Sequence, residues 1–200
     1  MKIGLDFDNT IVCYDNVFHQ VALEQGVIPA ETAVNKVAVR DYLRAVGKEG
    51  LWTEMQGYVY GTRMEDADAY PDVIETLIAA KQQGHQICIV SHKTRYPFMG
   101  HQYDLHESAR NWILTHLTHN DEPLVDEFSI NFRETKAEKI DRIAELGCDI
   151  FLDDLPEILE ASNFPASVKA VLFDPAAHHS DFDKGLAVTS WKQFSYLLEL

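Results

Sequence analysis

Short apolar runs, each followed by an amphipathic stretch, recur along most of this chain, and that alternation constrains its fold more than any other feature. Lys2–Phe7 (KIGLDF) reads as a buried strand ending in acidic residues. Pro71–Gln83 reads as a helix, with Pro71 in its first turn, Gly84 just past its end, and Val73, Ile74, Leu77 and Ile78 on one face. Gln86–Val90 is a second strand, His106–Leu117 a helix, and Glu127–Ile130 a weaker third strand. Lys136–Leu146 is a helix with Ile140, Ile143 and Ala144 on one face and Gly147 as its stop. Asp149–Leu152 and Lys169–Phe173 give a fourth and a fifth strand, and Trp191–Leu198 a closing helix. Strands that alternate with helices imply a parallel sheet covered on both faces, and right-handed crossovers make it doubly wound. The expectation is an α/β fold with a five-stranded sheet, whose chemistry gathers at the carboxyl ends of the strands.

One stretch breaks the rhythm. From Ile11 to Tyr70 the apolar spacing is helical (Val37, Leu43 and Val46 are examples), with no convincing strand. Residues 13–70 therefore read as a small helical insertion, over the sheet edge where the polar strand ends point, and residues 1–12 with 71–200 as the core. Charge narrows the partners. With 17 Lys+Arg against 32 Asp+Glu the formal net charge is −15, which repels nucleic-acid backbones and anionic membranes alike. An anionic substrate would have to be met by a local cation. No apolar run is long enough for a signal peptide or a membrane span, and Cys13, Cys88 and Cys148 read as reduced, mostly buried thiols, so the expected compartment is the cytoplasm.

The strand ends are polar in a telling way. The first delivers Asp6-Phe7-Asp8-Asn9-Thr10, the second Ser91, the segment after the third Thr135-Lys136 at a helix start, and the fourth Asp153-Asp154. Up to four carboxylates in one crevice cannot all be ionised without a cation. A hard, oxygen-preferring divalent ion, most simply Mg²⁺, resolves the repulsion, and it would bridge a phosphate to the acids together with Lys136.

The order Asp-x-Asp-x-Thr, Ser, Lys, Asp-Asp resembles the haloacid dehalogenase-like hydrolases, a superfamily with a Rossmann-like core, and the insertion matches the place of that family's helical cap. The resemblance implies a Mg²⁺-dependent phosphatase acting on a small phosphorylated metabolite, a sugar phosphate or a nucleotide monophosphate. Asp6 would be the nucleophile and form an aspartyl-phosphate, and Asp8 the general acid and base. Asp6, Asp8 (through its carbonyl), Asp153 and Asp154 would hold the metal, with Asp154 the direct ligand of the pair. Ser91 and Lys136 would bond the phosphoryl oxygens, with Lys139 one helical turn on as the other candidate lysine. Thr10, His92, Lys93 and Arg95 are the candidates for substrate contact. Asn9 stands where many members carry glycine, and the double aspartate resembles that of deoxyribonucleotidases.

Other readings explain less. Asp6 and Asp8 alone could cap a helix. A receiver-like phosphoaspartate protein places its acidic pair as neighbours after the first strand and has no such insertion. A non-catalytic module of the same fold lacks support, because no member of the catalytic set is missing. His116 with His119, and His178-His179 near Asp181 and Asp183, offer no closed zinc set.

Overall fold

The computed structural model describes residues 1–200. In chain order the elements are β1 (Lys2–Leu5), β2 (Val12–Cys13), α1 (Asp15–Glu24), α2 (Lys36–Ala45), α3 (Glu49–Tyr60), β3 (Asp68–Ala69), α4 (Val73–Gln82), β4 (Gln86–His92) and α5 (Leu105–His116). There follow β5 (Thr118–His119), β6 (Glu122–Pro123), β7 (Ile130–Arg133), α6 (Lys136–Leu146), β8 (Ile150–Asp153), α7 (Pro156–Leu159), β9 (Lys169–Phe173), β10 (Leu186–Val188) and α8 (Trp191–Leu197). By packing, the chain divides into one unit of Met1–Ile11, Ala69–Lys93 and Ile113–Leu200, and a second of Val12–Asp68 and Thr94–Trp112. No helix is long and apolar enough to cross a membrane.

The first unit is built on a six-stranded sheet in the order β10-β9-β8-β1-β4-β7, parallel throughout. β1 lies inside it, with Ile3 opposite Ile87 on one side and Ile150 on the other. Strands so placed are covered on both faces, which is why their apolar runs are continuous rather than alternating. Leu5, Ile89, Phe151, Leu152, Val171 and Leu172 are all buried.

Two departures from the sequence reading have local causes. Glu127–Ser129, expected to begin the third strand, is a 3₁₀ turn, because the Asp126 side chain accepts from the Phe128 amide and holds the backbone in a cap. The strand starts at Ile130. The sheet also has six strands rather than five. β10 is an edge strand paired only with β9, and its first two residues are exposed, so it shows no apolar run. Helix α6 falls on its expected bounds because both ends are signalled. Thr135 and Glu138 form a reciprocal capping box, and Gly147 closes the helix at φ 64°.

Gly4, in β1, is where the sheet comes closest to filling its own space. A Cβ there would stand 2.5 Å from the Phe151 ring and 2.8 Å from Cys148 Sγ. Gly4→Ala is therefore expected to destabilise the protein by about 1–3 kcal/mol through overpacking, as read by urea unfolding.

The second unit packs α1, α2 and α3 around Tyr14, Phe18, Val39, Leu43, Trp52, Met55 and Val59, all buried. Phe18 and Trp52 stack with centroids 4.9 Å apart, and the Lys36 ammonium sits 5.4–5.6 Å from the rings of Tyr14, Phe18 and Tyr60. Gly57 of α3 lets the chain pass closely at Pro97, where a Cβ would meet the proline at 2.8 Å.

Candidate active site

The site grows from the end of β1. The Asp6 amide still donates to Leu152 O at 2.8 Å, so the backbone keeps its strand path as far as Asp6. It then turns, with the Ile11 amide donating to Phe7 O at 3.0 Å and Asn9 at φ 59°. Asparagine is among the few residues besides glycine that adopt the left-handed conformation readily, so the turn survives without a glycine. The side chain of Thr10 is fully buried beneath this turn and donates to Asp6 Oδ2 at 3.3 Å.

Lys139 organises the acids. Its Nζ donates to Asp6 Oδ1 at 2.6 Å and lies 2.6 Å from Asp153 Oδ2, the latter an ion pair without hydrogen-bond alignment. Asp6, Lys139 and Asp153 are all buried, at 4%, 1% and 0% exposure. Asp153 Oδ1 accepts from the Leu155 amide at 3.0 Å. Oxygens of Asp6, Asp153 and Asp154 lie within 4.8 Å of one another. Burial away from water pushes the Asp153 carboxyl up to about 7, with the Asp6 charge adding to the rise and Lys139 opposing it. Burial works to lower the Lys139 ammonium, but the charges of Asp153 and Asp6 outweigh it and hold it above the usual lysine range.

Asp6 and Asp153 share one ammonium and Asp154 adds a third carboxylate beside them, and these oxygens are the donors that a hard divalent cation selects. A buried atom nearby also lacks a partner, since Ser91 Oγ at the end of β4 has no hydrogen bond.

The structure therefore brings Asp6, Thr10, Asp153 and Asp154 together. Asp8 adds a second ion pair, accepting from Lys93 Nζ at 2.9 Å on Oδ1 and 2.8 Å on Oδ2. Lys93 is itself buried, and its amide donates to Arg133 O at 2.8 Å. His92 and Arg95 are engaged elsewhere, His92 Nε2 with Glu134 O at 3.1 Å and Arg95 with Asp104 at 2.9 Å.

The structure does not bring Lys136, expected at the phosphate, to these acids. As the first residue of α6 it points to the surface, where it pairs with Glu157, while Lys139 enters the site. Lys139 stands beside Ile140 and four residues before Ile143, both buried, and so lies on the face that α6 turns to the sheet. Helical phase offered no signal between the two lysines, because Lys136, four residues before Ile140 and seven before Ile143, falls on the same stripe as Lys139, yet the structure leaves it exposed. The Lys93–Asp8 pair had none, because it joins residues 85 apart.

No family model matches the chain. A curated protein of Oceanobacillus iheyensis, described as a "putative nucleotidase", is 27% identical over 168 residues, covering 80% of each chain. Among solved structures, a predicted phosphatase from Clostridium acetobutylicum superposes with a TM-score of 0.61 at 13% identity, covering 100% of this chain and 98% of that one. A HAD family hydrolase from Deinococcus radiodurans R1, solved with bound phosphate and sodium, gives 0.59 at 17% identity, covering 99% and 95%. A HAD-superfamily hydrolase from Ehrlichia chaffeensis gives 0.56 at 18% identity, covering 98% and 95%. A parallel sheet with Asp6 and Asp8 beyond its inner strand, matched along nearly the whole chain by these structures, gives this protein the fold of the haloacid dehalogenase-like hydrolases.

Proposed function

We propose that the chain is a Mg²⁺-dependent phosphatase that hydrolyses a small phosphorylated metabolite through an aspartyl-phosphate on Asp6. The observation that carries this reading is the buried Asp6–Lys139–Asp153 triad, with a second acid, Asp8, two residues from the first. Lys139 bonds Asp6 Oδ1 and holds that side chain in place. An Asp6 oxygen attacks phosphorus, the bond from phosphorus to the ester oxygen breaks, and Asp8 supplies a proton to that oxygen as it leaves. Asp8 then takes a proton from the water that attacks the phosphoenzyme, and inorganic phosphate departs with Asp6 restored.

Lys93 has a part in this sequence. Its ammonium bonds both oxygens of Asp8, so the pair has to open for Asp8 to exchange a proton with the substrate. An arriving phosphate dianion is the natural competitor for the ammonium. Ser91 Oγ, a buried hydroxyl with no partner, is suited to a phosphoryl oxygen. Mg²⁺ would be held by the Asp6 carboxylate, the Asp8 carbonyl and the Asp153-Asp154 pair, and when bound it neutralises the charge that these acids and the phosphate would otherwise oppose. In this reading residues 13–70 are the cap and residues 1–12 with 71–200 the catalytic core. The nucleotidase description of the 27% identical relative favours nucleoside monophosphates over sugar phosphates as the class to try first.

Phosphate release measured across both classes tests this. Nucleoside monophosphates are expected to turn over with Mg²⁺, and chelation to lower the rate by about 100-fold or more. Turnover that is indifferent to chelator would remove the metal from the proposal, and a folded protein silent on every ester would remove the activity.

A further inference from the structure

At the opposite end of the sheet from the acids, two thiols from separate parts of the chain meet. Cys88 lies in β4 and Cys148 in the turn that leads into β8, and their sulfurs are 3.6 Å apart, within a buried cluster that includes Val90, Ile143 and Phe151. β4 and β8 are not neighbours, since β1 runs between them. The sulfurs meet because the β1 residue paired with both Cys88 and Phe151 is Gly4, the position already noted as having no room for a Cβ beside Cys148. The glycine leaves a gap through which side chains from the two flanking segments reach each other.

One of the two buried thiols borders a cleft. A cleft of about 390 Å³ at this end of the sheet is lined by Cys88 together with Lys2, Gln86, Ser129 and Leu146. Lys2 is fixed there by donating to Leu146 O at 2.6 Å, which sets a cation near both sulfurs. The two sulfurs are within hydrogen-bond reach of each other, with either able to donate, and the Cys88 thiol also reaches Ile3 O at 3.7 Å.

We propose that Cys88 and Cys148 form a redox-active dithiol that small hydroperoxides convert to an intramolecular disulfide spanning β1. One sulfur attacks the terminal peroxide oxygen, the O–O bond breaks, and an alcohol (or water, for hydrogen peroxide) leaves with a sulfenic acid in place. The second thiol attacks that sulfur, the S–O bond breaks, and water departs. Both sulfurs are oxidised by one electron each, the peroxide is reduced by two, and the two thiol protons end in the products. From contact distance the sulfurs need to close by about 1.5 Å to reach a disulfide bond length. Cys13, partly exposed in the second unit, takes no part. None of this depends on the proposed phosphatase activity.

The test is on the full-length, unmodified chain, folded in buffer and titrated with hydrogen peroxide. Loss of two of its three thiols, a mass decrease of two hydrogens, a Cys88–Cys148 cross-linked peptide on non-reducing digestion and full reversal by dithiothreitol are expected. The oxidised form is expected to melt about 5–10 °C higher, because the bond closes a long loop. Mass gains of oxygen at Cys88 or Cys148 without the cross-link would overturn the proposal. So would survival of both thiols at peroxide levels that consume Cys13. Cys88→Ser is expected to end the mass loss while leaving Cys148 at most oxygenated, and a cross-link that persisted in it would assign the bond elsewhere.

Discussion

Asp6→Asn is expected to lower phosphate release by about 10³-fold or more while leaving the protein folded, and without metal no less stable than the parent. The amide keeps the shape of the carboxylate but is a far poorer nucleophile. The stability half of the expectation comes from charge. Asp6 and Asp153 share one ammonium in a site that excludes water, and the Asp6 charge raises the Asp153 carboxyl further. Removing the Asp6 charge leaves Lys139 matched one to one with Asp153, a neutral buried pair in place of an overcrowded set. Single-turnover phosphate release and urea unfolding, both with and without chelator, measure the two halves separately. A variant that turned over at the parent rate would displace Asp6 from the nucleophile's role. One that unfolded more easily than the parent without metal would show the triad to be structural first.

Lys139→Met and Lys136→Met are expected to behave in opposite ways. The first strands two buried carboxylates without a counter-charge, at a cost of about 3–5 kcal/mol in unfolding free energy and with loss of turnover. The second removes an exposed partner of Glu157, with an expected change within about 0.5 kcal/mol and kcat within about twofold. Denaturation midpoints and phosphate release on the same preparations decide it. The reverse result would return the phosphate-binding role to Lys136.

The contrast between these lysines shows what a linear sequence carries and what it hides. The sheet was legible because inner parallel strands advertise themselves as unbroken apolar runs such as IGL in β1 and IFL in β8. β10 hid because an edge strand with two exposed residues has no such run. The acids of the site were legible because Asp6 and Asp153 follow those same runs directly. Lys139 was ambiguous because Lys136, Lys139, Ile140 and Ile143 all fall on one stripe of α6, and only the packing of that helix buries Lys139 and leaves Lys136 exposed. His92 and Arg95 went the other way, because a basic loop in sequence says nothing of the local carbonyl or carboxylate that occupies each side chain.

The position of β1 inside the sheet bears on how the protein is made. It is translated before any of its partners, yet its hydrogen-bonding edges are closed by Gln86–Ile89 on one side and Ile150–Leu152 on the other. On the ribosome that segment therefore waits through the synthesis of the helical region before its first neighbour exists, and through most of the chain before its second. The helices of Val12–Asp68 are under no such delay, since they pack chiefly on one another. Such long-range closure is slow relative to helix packing and leaves an apolar strand unpaired in the interval. For the nascent chain, the hazardous window runs until β8 emerges.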